Sequence, residues 1–263
     1  MIIEPAFYSS IQFGPFKIYF YGLMFVFGFL TVYFLTSRLI KQNNLKIPGG
    51  DIIGLLGILF IGMIIGARLG YVFIYWGKEY LVRPEKIFTL WEGGLSFHGG
   101  LLGIILSFLI YSKIFKISFW VFADILSCSV PLAVFLGKFG HFINGELWGR
   151  PTNGTWGVIF PKSGERFIPR HPVQLYEAVL EGLLIFIIIN LIYRKKIHKG
   201  MIFGLFLFLL GIIRFFTEFF RQPDPQIGLI FKYFTMGQLL SVPLIIAGIV
   251  IFLSKKGLSK NNI

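Results

Sequence analysis

Charge is scarce in this chain, and negative charge scarcer still. Only 14% of the 263 residues are charged, with 12 Asp and Glu set against 25 Lys and Arg. Soluble domains run nearer a quarter charged. A hydrophobic share of 56% and a mean hydropathy of +0.77 therefore exclude an ordinary water-soluble globule and leave a polytopic membrane protein. A single cysteine, Cys128, excludes an internal disulfide, and its place in an apolar run reads as a small buried hydrophobe. The four histidines, His98, His141, His171 and His198, are scattered and show no metal-ligand spacing, so neither a metal nor a cofactor is expected. There is no nucleophile elbow, and Ser96 beside His98 does not make a hydrolase triad. The first apolar run lacks a preceding basic segment and is too long for a signal-peptide core, so no cleavable signal is expected. No lipidation motif and no repeat suggesting an inverted-repeat transporter are seen.

What is present is a series of apolar runs long enough to cross a hydrocarbon core of about 30 Å. Seven spans are expected in an all-α protein: 18–40, 52–76, one following SFHGG at 96–100 and reaching 115, then 119–142, 173–193, 201–220 and 236–253. Residues 1–16 read as a loop or interfacial turn. Glycines 54, 57, 62, 66 and 70 suit close packing of the second span, and Pro131 should kink the fourth. The longest polar connection, 145–171, is rich in Gly, Pro, Asn and Trp. It is expected as a small outward head, 143–171, within one domain, 1–263. The short loops holding Arg38, Lys41, Lys46, Lys113, Lys116, Arg194, Lys195, Lys196 and Lys199 are placed in the cytoplasm. The N-terminus and head then face outward and the C-terminus inward. A net charge of +13, spread between apolar runs, points to anionic lipid and not to nucleic acid.

This orientation puts most intramembrane ionisable groups at one depth. Arg68, His98, Lys138, His141, Glu177, Arg214 and Glu218 fall in the outward half; Glu181 lies deeper and Asp124 near the cytoplasmic end. Ionisable groups at this depth are costly and mark function by default. Arg214 and Glu218 at i, i+4 can pair, as can Arg68 with Glu177 or Glu181. The cations Arg68, Lys138, Arg214 and Arg221 still outnumber the outward acids Glu177 and Glu218, and a surplus of buried positive charge calls for an anion. A phospholipid headgroup is the anion available there. The stretch GKFGHFINGELWGRPT, 137–152, concentrates the polarity. His98 is the best candidate general base, with Gly99 and Gly100 read as letting a substrate approach the backbone. On the residues alone three readings stand: a lipid-modifying enzyme, a transporter or channel for an anionic solute, and a non-catalytic phospholipid-binding scaffold.

The segments YGLM at Tyr21, GARLGYV around Arg68, WEGGLSFHGGLLG around His98, FINGELWGRPT from Phe142, PRHPVQLYEAVLEG from Pro169 and RFFTEFFRQPD from Arg214 carry a resemblance that runs nearly end to end. With them the chain resembles the prolipoprotein diacylglyceryl transferase family. The resemblance implies a seven-span bacterial inner-membrane enzyme that moves the diacylglyceryl group of phosphatidylglycerol onto the thiol of a prolipoprotein's lipobox cysteine, releasing glycerol phosphate. The family's important positions fall on Tyr21, His98, Lys138, His141, Asn144, Glu146, Gly149, Arg214 and Glu218. Where the family usually reads Gly-Arg-x-Gly-Asn-Phe, this chain has Gly137-Lys138-Phe139-Gly140-His141-Phe142. Lys keeps the charge but loses the planar fork. His keeps a donor with a different reach. The implied chemistry assigns His98 to thiol deprotonation, and Arg214 and Lys138 to the phosphate, with Arg68 and Arg221 as weaker candidates. Tyr21, His141, Asn144, Glu146, Gly149 and Glu218 then serve the phosphatidylglycerol site.

Overall fold

A computed structural model describes the chain apart from residues 1–9, 15, 48–51, 76–81, 90–93, 165–166, 196, 225–226 and 261–263. Trp91, Glu92 and Gly93 of the motif before His98, the end of the second span at Trp76, and Lys196 lie outside the described residues.

The apolar runs become helices because their interiors are dominated by Leu, Ile, Phe and Val, whose side chains can face lipid while the backbone bonds to itself. Among the described residues these are α1 (Phe20–Gln42), α2 (Ile52–Ile74), α3 (Phe97–Ile114), α4 (Phe119–Asn144), α5 (Val173–Tyr193), α6 (Met201–Thr217) and α7 (Met236–Lys260). Six are long and apolar enough to span a membrane; α6, with 17 residues, is shorter. Phe34, Ile61, Phe73, Ile110 and Val250 are each more than half exposed, as lipid-facing side chains are. The protein is thus a helical, multi-pass membrane protein.

Two local departures from the sequence reading are small. The segment expected as a loop contains an antiparallel hairpin, β1 (Ser10–Phe13) and β2 (Phe16–Tyr19), leading directly into α1. In α5, Ala178–Leu184 winds as a π-helix, which apolar periodicity does not reveal. Pro131 sits inside α4 without ending it.

The helices pack as antiparallel pairs. Gly28 and Thr36 of α1 meet Ala133 and Ser129 of α4. Gly204 and Gly211 of α6 meet Gly248 and Ile245 of α7. The α2–α3 seam is closest: Gly62, Gly66 and Gly70 face Gly103 and Gly99 backbone to backbone. Gly99 and Gly100 are therefore packing positions against α2, which corrects their reading as an approach for substrate. The most enclosed long helix, α4, centres a core with Ile125, Cys128, Ile185, Ile189, Ile202 and Leu210.

Asp124 has a structural account. Its carboxylate accepts the backbone N–H groups of Gly200 at 2.6 Å and Phe203 at 2.8 Å, capping the start of α6 from a neighbouring helix. Those N–H groups have no partner within α6, and the helix dipole favours the negative charge there. At the other end of the bundle the end of α4, the start of α5 and the end of α6 meet the starts of α1, α3 and α7, and the polar groups converge there.

A Cβ on Gly103 would lie 2.9 Å from the Gly62 carbonyl carbon, whereas Gly57 on the same helix as Gly62 faces open space. Gly103→Leu should lower the melting temperature in detergent by overpacking worth about 1–3 kcal/mol, while Gly57→Leu leaves it within a degree or two. Thermal unfolding of the two purified variants checks this.

Candidate headgroup site

Glu177 lies at the centre of the buried charges. One turn into α5 and 1% exposed, it accepts Lys138 Nζ of α4 at 2.7 Å on Oε2 and Arg214 Nη1 of α6 on Oε1. Arg221 Nη1 is 3.5 Å away. Arg214 turns Nη2 to Glu218 Oε1 at 2.6 Å, and Glu218 Oε2 accepts Thr235 Oγ1 at 2.9 Å. Glu181, one turn below Glu177, is 3.4 Å from Arg214 Nη1 and 3.8 Å from Lys138 Nζ. Gly237 at the start of α7 packs directly on the Glu218 carboxylate, where a side chain would collide with it.

This arrangement corrects two expectations. Within this cluster the expected surplus of positive charge is absent: Glu181 joins Glu177 and Glu218, so three acids face Lys138, Arg214 and Arg221. Arg68 is directed elsewhere. Its guanidinium donates to the carbonyls of Ile87 and Gly94 at 3.1 Å, to the Lys86 carbonyl and to Thr89 Oγ1, pinning the connection between α2 and α3. Arg68 is thus committed to the connection before α3, whose carbonyls a residue-type reading does not count as acceptors, and not to Glu177 or Glu181.

Phe97 joins the cluster to His98. The Lys138 ammonium lies 5.5 Å and the Arg214 guanidinium carbon 5.4 Å from its ring centroid, both within cation–π range. His98 is the next residue, in the first turn of α3, where Ser96 accepts the Gly99 N–H as an N-cap. Its Nε2 is 3.4 Å from Ser241 Oγ of α7. Ser241 donates its one hydrogen to the Gly237 carbonyl at 2.7 Å. An imidazole that donates from Nε2 to Ser241 keeps its lone pair on Nδ1.

A second group sits one turn further along α4. His141 Nδ1 is 2.7 Å from Glu146 Oε1, and its ring lies 4.7 Å from that of Tyr21. Lys162 from the 145–171 connection donates to the Asn144 carbonyl, and Gln174 Nε2 to the Glu146 carbonyl at 2.6 Å. Gly145, left-handed at φ 63°, ends α4 and turns the chain so that Glu146 folds back on His141. Gly149 is squeezed between the carbonyls of His171 and Phe220, each 2.6 Å from where a Cβ would be. Its N–H donates to His171 O, and its carbonyl accepts Arg170 Nη1. Arg150 ties the same stretch to the turn after α6 through the Phe220 and Arg221 carbonyls.

Tyr21, His141, Asn144 and Glu146 thus form one group, and Lys138, Arg214, Glu218 and Arg221 another, with His98 beside the second. Residue-type reasoning counted Glu177 among the outward acids but named it and Glu181 as pairing partners for Arg68 alone, and it passed over Phe97, Thr235 and Ser241. Two glutamates at i, i+4 in an apolar span were the available signal for the first pair. Nothing in the sequence marks Phe97 as a shared ring.

Fold and site together define a multi-pass membrane protein that gathers ion-paired and hydrogen-bonding side chains from several helices at one end. A family model, prolipoprotein diacylglyceryl transferase, matches residues 9–254. The chain is 44% identical to a phosphatidylglycerol–prolipoprotein diacylglyceryl transferase of Geobacter sulfurreducens, covering 94% of this chain and 93% of that one. It is 45% identical to the protein of that name from Pasteurella multocida, over 92% and 89%, and 42% identical to that of a Drosophila simulans Wolbachia, over 99% and 98%. The chain belongs to the prolipoprotein diacylglyceryl transferase family.

Glu146 lies outside the spans and offers a pH test. Burial pushes its carboxyl up, but hydrogen bonds from His141 and Asn144 and the nearby Lys162 charge outweigh this and hold it below the ordinary 4.5. A depressed carboxyl stabilises the fold above its unfolded value, and that contribution is lost as pH falls through the folded value. The melting temperature of the wild type should drop on acidification below about pH 4.5, and Glu146→Gln should remove that part of the drop; melting curves across pH 3–6 are the check.

Proposed function

We propose that this chain transfers the diacylglyceryl group of phosphatidylglycerol to the thiol of the lipobox cysteine of a prolipoprotein. The single observation that carries the reading is Phe97, with Lys138 and Arg214 over its ring and His98 adjacent to it. Two cations that can meet a phosphate and one imidazole that can take a proton are held at one place by three helices.

The reaction forms a sulfur–carbon bond and breaks the carbon–oxygen bond to phosphate, whose oxygen keeps the electron pair as glycerol phosphate leaves. His98 takes the thiol proton through Nδ1, since the thiolate is the competent nucleophile. Arg214 and Lys138 stabilise the charge that grows on the departing phosphate. Arg214 Nε, buried and without a hydrogen-bond partner among the described residues, is a donor still to be used. Glu218 and Glu177 fix the guanidinium, and Arg221 adds charge beside it. Tyr21, His141, Asn144 and Glu146 line the headgroup's approach. Gly149 lets the chain pass between α5 and α6, and residues 143–171 cover the site. Arg68 serves by pinning the connection before His98.

The protein crosses the bacterial inner membrane seven times, α6 included, with the N-terminus and residues 143–171 periplasmic and the C-terminus cytoplasmic. At about 25 Å, α6 is short because it ends among the charged groups of the site and not in lipid. An anion path to the cytoplasmic end is disfavoured, because Asp124 there is committed to the α6 backbone.

Purified protein incubated with labelled phosphatidylglycerol and a lipobox peptide should add a diacylglyceryl mass to the peptide's cysteine; lipid binding with no mass change contradicts the transferase reading. Arg214→Ala should cut transfer by about 100-fold or more while still inserting. Lys138→Arg, which supplies a fork where Lys138 Nζ serves Glu177, should change transfer by less than about tenfold if position 138 acts as a point charge; initial rates in the same assay decide it.

A further inference from the structure

The cluster is closed in charge: Lys138, Arg214 and Arg221 are matched by Glu177, Glu181 and Glu218. Adding the negative charge of a phosphodiester to a neutral buried cluster is costly unless one negative charge is lost. The three carboxylates are not equivalent. Glu177 has Lys138 Nζ at 2.7 Å and Arg214 in direct contact, and Glu218 has Arg214 Nη2 at 2.6 Å and Thr235 Oγ1 at 2.9 Å. Glu181 is 0% exposed and has no such contact. Its nearest polar neighbours are Arg214 Nη1 and Thr217 Oγ1, both 3.4 Å from Oε1, and Lys138 Nζ at 3.8 Å from Oε2. Its Oε2 accepts no hydrogen bond among the described residues.

The groups facing Glu181 are Lys138 from α4, Glu177 from its own helix, and Arg214 with the neutral Thr217 from α6. Glu177 holds both cations at shorter range, so Glu181 keeps only the remainder of their field. A buried carboxylate holds its charge the more firmly the closer its donors, so of the three Glu181 is the one that gives up its charge at least cost when an anion enters.

We propose that Glu181 takes up one proton when the phosphodiester of an anionic lipid enters the cluster, so that the net charge of the site is unchanged by binding. The proton comes from water at the outward face. Neutral Glu181 gives up its share of Arg214 and Lys138, and both turn to the phosphate. The proposal rests on the reading of this cluster as the headgroup site and makes Glu181 a positioning residue that sets the site's charge without touching the reacting atoms.

Calorimetric titration of the purified full-length chain with short-chain phosphatidylglycerol, in buffers of different ionisation enthalpy, counts protons taken up per lipid bound. The wild type should take up about one proton, with affinity falling about tenfold per pH unit on the alkaline side. Glu181→Gln should bind with no proton uptake and no such slope. Net-neutral phosphatidylcholine should bind without a proton. Wild-type binding with no uptake overturns the proposal, as does a full proton count in Glu181→Gln or with phosphatidylcholine. The wild-type count stands by itself if the Gln variant fails to accumulate. Absence of any phosphatidylglycerol binding sinks the headgroup reading itself, and this proposal with it.

Discussion

The fold depends on a requirement of neutrality. Lys138, Glu177, Glu181, Arg214, Glu218 and Arg221 are charged groups inside a bundle whose surroundings cannot solvate them, so each is tolerable only beside the others. No single helix supplies the set: α4 gives Lys138, α5 gives Glu177 and Glu181, and α6 with the turn after it gives Arg214, Glu218 and Arg221. The antiparallel glycine contacts, the Asp124 cap on α6 and the packing of Gly237 on Glu218 all fix helix register, and register brings these groups level. An offset of one turn, 5.4 Å, would leave several unpaired.

Lys138 and His141, where the resemblance leads one to expect Arg and Asn, fit this frame. Lys138 presents one compact ammonium to two carboxylates, Glu177 at 2.7 Å and Glu181 at 3.8 Å, a task that needs no fork. His141, a turn beyond, is held between the Tyr21 ring and the Glu146 carboxylate. The imidazole has both a flat face for the first and a ring nitrogen for the second. Position 141 therefore links the start of α1 to the start of the polar connection.

Much of the architecture is legible in the sequence because membranes impose length and apolarity on every span. The apolar runs lie where helices form, the close-packing glycines of the second span lie on the α2–α3 seam, and the polar depth of Lys138, His98, Arg214 and Glu218 follows from their place in each run. Partner choice is less legible. Arg68 found backbone carbonyls, which residue-type reasoning does not count as acceptors. Glu181 is drawn up to Lys138 and Arg214 across helix boundaries, so the charge count of the outward half came out wrong by one acid. The π-helical turn of α5 and the hairpin before α1 depend on packing and strand pairing that apolar periodicity does not encode.

The central claim is that a lipid phosphate shares this cluster with its carboxylates. Solid-state NMR with guanidinium nitrogen-15 on Arg214 and the phosphorus of phosphatidylglycerol in the surrounding bilayer measures that distance directly. A separation of about 4 Å, one charge-assisted hydrogen bond plus a phosphorus–oxygen bond, is the expected result. No dipolar coupling between Arg214 and any lipid phosphorus, in protein competent for transfer, would contradict it.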